Sequence, residues 1–261
     1  SGSIQASIGF SDDDGLIYGF GISKSNFMGT GNRLAFNASQ SDDYTSYSIS
    51  YNNPYFTVDG VSRGVKFYYQ VSDYDDDDIE DYQIDKKGVE LSYGYPLSDT
   101  QNLIFALAVQ ETQIDISNDP SNETEFFTNT YGDNFDDLIA SVTWSDNDLI
   151  GGVLPTNGYS TSANLRVSTP GSDQQYYKIG LTSEKYWNIN NSSLWLFHAK
   201  ARFGYGNGYG DSEYLPFYEN YYAGGAGSVR GYGSSSLGPQ NSYDSSSDEE
   251  SSAMGGHILM V

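Results

Sequence analysis

Apolar and polar residues alternate from the start of the chain. In Ser3–Phe10 the apolar positions Ile4, Ala6, Ile8 and Phe10 are separated by Ser3, Gln5, Ser7 and Gly9. Period-two alternation puts one set of side chains on each face of a β-strand. The pattern returns at Leu16–Ile22, Leu34–Ala38, Tyr47–Tyr51, Val65–Val71, Val89–Tyr95 and Leu103–Val109. It continues at Leu138–Trp144, Ala163–Val167, Tyr177–Leu181 and Trp195–Phe203, and a further strand begins at His257–Val261. This reading predicts about eleven full strands and the start of a twelfth. No helix is expected, and no run is apolar for the length a membrane-spanning helix needs.

Alternation alone fits a soluble sandwich as well as a membrane barrel; the connections separate them. Every second connection (11–15, 41–43, 73–85, 111–137, 169–175 and 204–253) is longer or more acidic, and together these hold 29 of the 35 acidic residues. The intervening connections carry only Asp59, Asp99, Asp146 and Asp148. In an up-and-down meander, alternate connections emerge at one end. One end is therefore acidic and long-looped and the other nearly uncharged, which is the asymmetry of an outer-membrane barrel. The expected fold is all-β: a transmembrane antiparallel up-and-down β-barrel. Aromatics at strand ends (Tyr51, Tyr55, Phe56, Tyr95, Trp144, Trp187, Trp195) suit interfacial girdles.

Composition narrows the function. Mean hydropathy is −0.53 although aromatics reach 15% with 24 Tyr, as expected when only one face of each strand meets lipid. A net charge of −23 argues against nucleic acid as a partner. The chain has no cysteine, hence no disulfide framework and no thiolate metal site. Asp73–Asp81 fails the EF-hand pattern, because Asp78 and Ile84 stand where glycine and glutamate are needed. Gly204–Gly210 follows a strand but opens no helix, so it is a poor phosphate loop. His198 and His257 are the only histidines, and no serine elbow is present. No catalytic residue, metal or cofactor is expected. The chain starts without a secretory signal, and an exported protein requires one upstream, so a fragment is expected.

One segment invites a specific reading. Phe217–Gly238, FYENYYAGGAGSVRGYGSSSLG, lies in the longest connection. Gly224, Gly225 and Gly227 allow positive φ and close packing. Arg230 is a single cation among glycines and aromatics, suited to a bidentate carboxylate contact. Two readings stand level on these residues: a loop folded back into the lumen with Arg230 locked to an acidic wall residue, or a flexible outer loop with a solvated arginine.

Gly224–Tyr232, GGAGSVRGY, resembles the signature of the sixth outer loop in the BamA superfamily. Asn53–Gly60, NPYFTVDG, resembles a strand turn in its bacterial assembly-factor branch. Gly29–Gly31, Thr169–Asp173, Pro216–Asn220, Leu237–Pro239 and Gly255–Gly256 match in order and spacing along essentially the whole chain. The resemblance implies that residues 1–261 are part of a sixteen-stranded barrel that folds and inserts other barrels into the outer membrane. POTRA domains would precede it and the last strands would follow. It implies a lateral gate at the strand Ser3, Ile4, Gln5, Ala6, Ser7, Ile8, Gly9 and Phe10, and a lumenal loop motif at Val229, Arg230, Gly231 and Tyr232. A periplasmic turn is implied at Asn53, Pro54, Tyr55 and Phe56. The implied partners are unfolded outer-membrane protein clients, accessory lipoproteins of the assembly complex, and outer-membrane lipid and lipopolysaccharide. The acidic wall residues that receive the motif arginine in the family lie beyond Val261, and His257 stands where asparagine is expected. A two-partner-secretion export pore of the same superfamily and a passive porin are the alternatives.

Overall fold

The computed structural model describes residues 2–11, 15–74, 80–151, 154–188, 195–243 and 251–261. The centre of the first connection (11–15) and the centre of the 73–85 acidic run lie outside the described residues. The strands are β1 (Gly2–Ser11), β2 (Gly15–Lys24), β3 (Arg33–Gln40), β4 (Tyr44–Asn53), β5 (Ser62–Tyr74) and β6 (Tyr82–Pro96). They continue as β7 (Gln101–Ile116), β8 (Asn134–Asn147), β9 (Gly158–Ser168), β10 (Tyr176–Asn188), β11 (Leu196–Gly208) and β12 (Ile258–Met260). They form one 12-stranded sheet in sequence order, each strand antiparallel to the next, which is the expected meander. Among the described residues β1 pairs only with β2, and β12 only with β11, so the sheet is not closed within this chain.

The alternation read from the sequence governs the register. Apolar residues face one another across strands, as in Leu91↔Leu107 and Leu181↔Phe203. On β2 the apolar positions Leu16, Tyr18, Phe20 and Ile22 are exposed on the outer face, whereas the positions between them are partly covered. Exposed apolar side chains in such a band suit hydrocarbon rather than water. On β1 residues 2–10 are exposed on both faces, because only one neighbour flanks the strand.

β6 and β7 run further out than the apolar pattern suggests. Asp85, Glu111 and Asp115, read from sequence as loop residues, belong to strands of 15 and 16 residues. About ten residues cross a bilayer, so these strands project beyond it. There the lipid-side positions become Asp85, Lys87 and Glu111, and Lys87 pairs with Glu111 at 3.0 Å.

The expectation of no helix is corrected by α1 (Asn122–Tyr131), in the connection between β7 and β8. Its start is signalled locally: Ser121 caps it, accepting from the Thr124 amide, and Glu123 and Glu125 sit in the first turn, where negative charge is favoured. Periodicity missed it because its apolar residues form no broad stripe. A second loop secures it. The buried Glu80 carboxylate accepts from the Ser121 amide (2.7 Å), the Ser121 hydroxyl (2.7 Å), the Thr124 hydroxyl (2.8 Å) and the Asn241 amide (3.3 Å). Asn241 belongs to the β11–β12 connection, so one carboxylate ties three outer loops together.

The buried core lies on the concave side. Tyr82, Ile84, Ile114 and Phe135, at the outer ends of β6, β7 and β8, pack with Phe217 and Tyr218 of the β11–β12 connection. Phe127 of α1 closes the cluster, its ring 5.2 Å from Phe217 and 5.9 Å from Phe135. Glu80→Ala removes the acceptor of all four bonds, so loosening of residues 121–125 and 241 by about 1–3 kcal/mol is expected. Faster amide exchange at those residues, with the β6–β8 amides unchanged, is the measurement that checks this.

Candidate functional site

The long connection after β11 folds back along the inner wall. Glycine makes that possible on β11. At Gly204 a Cβ would lie 2.7 Å from the Tyr221 ring, and at Gly208 one would lie 2.5 Å from the carbonyls of Ser212 and Tyr214. The GYGNGYG run is therefore a flat inner wall against which the loop runs, not a phosphate cradle. Beyond it, Phe217–Glu219 form a buried 3-10 turn.

Glu219 is the centre of the arrangement. One carboxylate oxygen accepts from Lys86 of β6 at 2.8 Å. The other accepts from Arg166 of β9 at 3.1 Å and Lys178 of β10 at 3.0 Å, and the Glu219 carbonyl takes a further bond from Lys178 at 2.7 Å. The three cations stand two to four positions inside the outer ends of their strands. Strands lie about 4.8 Å apart, so β6 and β10 would be about 19 Å apart in a flat sheet, too far for one carboxylate to bind both. The sheet must therefore curl around the loop. Breaking a buried ion pair by removing one partner costs about 3–5 kcal/mol, because the partners keep their desolvation cost.

The loop is held again further along. Tyr221 and Gly256 exchange backbone bonds of 2.8 and 2.9 Å, and the Asn220 amide donates to the Met254 carbonyl at 2.9 Å. Asn241 and Ser252 pair through backbone and side chain. Between these holds, Ala223 bridges Leu237 and the chain turns through Gly224 (φ 122°) and Gly225 (φ 83°). The Ser228 hydroxyl donates to the Gly224 carbonyl at 2.7 Å and accepts from the Gly224 amide at 2.8 Å.

The motif residues form the tip. Val229 is half-buried, Arg230 is exposed, Gly231 has φ 93°, and Tyr232 is 58% exposed. Of the glycines expected to take positive φ, Gly224 and Gly225 do. Gly227 does not, and Gly231 takes the left-handed turn instead. The two readings of the loop are resolved in part: it folds inward, but Glu219 makes the wall contact. Among the described residues Arg230 has no ion pair. Glu219 was legible only as a lone acid in an aromatic, glycine-rich stretch. Its partners, although on inward positions, lie in three separate strands.

Ser3–Phe10, expected from the resemblance to be a gate strand, lies within β1, the first strand of the sheet. The turn segment follows β4. Asn53 accepts from the Tyr55 amide at 3.1 Å, and Gly60 (φ 84°) closes the turn on the Thr57 carbonyl. Phe56 lies under the Arg63 guanidinium at 4.2 Å and edge-on to Tyr93, whereas Tyr55 is 78% exposed. His198 lies on the inner face, stacked on Tyr186 and 3.3 Å from Glu184. Among the described residues no cluster of metal-ligating side chains occurs.

Burial alone would raise the Glu219 pKa, but Arg166, Lys86 and Lys178 together hold it well below the usual carboxylate range. A depressed pKa gives stability that is present above the unfolded value of about 4.3 and is lost only as pH falls through the folded one. Docking of the loop is therefore expected to be the same at about pH 5 and pH 8. Protection factors of the Phe217–Tyr221 amides at the two values check this. Phe217→Ala is expected to destabilise the folded barrel by about 3–5 kcal/mol, read from denaturant unfolding.

Residues 26–261 match the model of the Omp85 superfamily domain. The chain is 32% identical over 250 residues to the outer membrane protein assembly factor BamA of Neisseria meningitidis serogroup B, covering 92% of this chain and 31% of that protein. It is 25% identical over 114 residues to the protein of the same name in Buchnera aphidicola, covering 44% of this chain and 18% of that protein. The crystal structure of BamA from Haemophilus ducreyi lacking POTRA domains 1–3 superimposes with a TM-score of 0.91 at 29% identity, over 99% of this chain and 51% of that one. The chain thus spans about a third of the meningococcal protein and about half of the solved chain. These matches show that the chain belongs to the Omp85 superfamily and is an integral β-barrel protein of the Gram-negative outer membrane.

Proposed function

We propose that residues 1–261 form part of the membrane barrel of a factor that folds and inserts other β-barrel proteins into the outer membrane. The observation that carries this reading is the 32% identity, over 92% of the chain, to a protein named for that assembly. In the proposal, POTRA domains precede this segment and the remaining strands of the barrel follow it.

β1 offers a physical means. Its residues alternate apolar and polar, and in this reading it pairs weakly with the last strand of the barrel, which follows this segment, so that the pairing opens to a client. A strand with free amides and carbonyls can accept another strand by backbone hydrogen bonding, independent of the side chains offered. A client strand that pairs there satisfies polar groups that lipid cannot, so the free energy of client folding drives insertion. In this reading Ser3–Phe10 is the gate strand, and the Val229–Tyr232 tip is presented in the lumen. Asn53–Phe56 is a periplasmic turn, and no covalent chemistry or cofactor is used. Partners are unfolded client barrels, accessory lipoproteins, and the lipid and lipopolysaccharide of the outer membrane. The loop lying along the concave face supports this reading over that of an open porin.

Depletion of the intact protein from its source bacterium tests the proposal. A joint fall of many outer-membrane barrels, with periplasmic stress, is the expected outcome. Loss of one secreted polypeptide with barrel levels unchanged would instead indicate an export pore. Large steady single-channel currents would indicate a porin.

A further inference from the structure

We infer that Glu219 is the positioning residue for the Val229–Tyr232 tip, and that Lys86, Arg166 and Lys178 form a redundant wall receptor for its carboxylate. The contact is unequal. The wall supplies three cations from three strands; the loop supplies a single buried anion. Side-chain exposure is 4% for Glu219 but 17–26% for the three cations, so solvent can relieve a wall cation that loses its partner but cannot relieve the carboxylate. Neutralising one wall residue leaves two charge-assisted contacts in place. Neutralising Glu219 removes all three ion pairs, keeps only the Lys178 bond to its backbone carbonyl, and leaves three like charges converging on a neutral group.

The geometry connects this pin to the tip. Asn220 and Tyr221 follow directly and are hydrogen-bonded to the Met254–Gly256 stretch that leads into β12. Only Tyr222 and Ala223 separate these bonds from the Gly224–Gly225 turn that begins the tip. The tip itself has no ion pair to the wall among the described residues. Its position along the lumen is therefore inherited from Glu219 rather than set by Arg230 within this chain.

Residues 1–261 contain no cysteine, so a reporter cysteine can be placed here in the intact protein in native outer membranes, with the protein lacking the reporter as the labelling blank. Gly227, exposed and with open space where a Cβ would stand, is changed to cysteine as a reporter and labelled with a polar maleimide. Labelling rates are compared in Glu219→Gln, Glu219→Asp, Lys86→Gln and Lys178→Gln backgrounds, each checked for folding by heat-modifiable mobility. Glu219→Gln is expected to change the rate by about tenfold or more while the barrel remains folded. Each single wall substitution should change it less than about twofold, and Glu219→Asp should restore most of the original rate. If Glu219→Gln does not fold, the Lys86→Gln/Lys178→Gln double variant replaces it, with a change larger than either single variant expected. Unchanged labelling in folded Glu219→Gln, or equal effects from Lys86→Gln and Glu219→Gln, would overturn the inference. Barrel levels in the same strains form a second arm, which rests on the assembly proposal. Altered labelling with normal barrel levels keeps the pin and rejects its link to assembly, whereas unchanged labelling rejects the pin itself.

Discussion

One carboxylate that must reach three strands constrains much of this structure. Glu219 binds Lys86, Arg166 and Lys178 at 2.8–3.1 Å, and these stand on β6, β9 and β10. A flat sheet cannot satisfy all three, so the contact requires curvature and requires the loop to lie inside it. The loop in turn needs a wall it can approach, and glycine at Gly204 and Gly208 supplies that wall. Phe217 and Tyr218 flank the carboxylate and fill the space against Tyr82, Ile84, Ile114 and Phe135. The aromatic packing excludes water from the ion pairs, and the ion pairs orient the aromatic turn. Neither set of residues would stay buried without the other.

A second buried acid works in the outer loops on different terms. Glu80 is surrounded by hydroxyl and amide donors rather than cations. It joins the β5–β6 connection to the cap of α1 and to Asn241. The β11–β12 connection is therefore fastened both by Glu219 to the inner wall and through Asn241 to neighbouring outer loops. Loops rich in acid repel one another at long range, and short hydrogen bonds to buried carboxylates oppose that repulsion where the loops converge.

Charge is partitioned along the barrel. Most acids fall in every second connection along the sequence, whereas Lys86, Arg166 and Lys178 converge on the inner wall. The outer face is apolar. An apolar belt, a positively charged inner wall and an acidic outer end can coexist in one strand set because alternation separates inside from outside, while loop parity separates the two ends.

The strands, their order and the inside–outside assignment were legible in the sequence because each depends on neighbours two residues apart or on successive connections. The alternation in β2 and the pairing Leu91↔Leu107 follow from such local rules. The presence and inward course of the glycine-rich loop were legible as one of two open readings. What held it was not, because Glu219 is separated from Lys86, Arg166 and Lys178 by 133, 53 and 41 residues, and no local pattern links them. The helix Asn122–Tyr131 was missed for a related reason: its cap was visible at Ser121, but its anchor is Glu80 in another loop. By itself the sequence determined a membrane meander with an acidic, long-looped end. Only tertiary structure decided which buried charges meet, because ion pairing depends on where curvature places side chains and not on their distance along the chain.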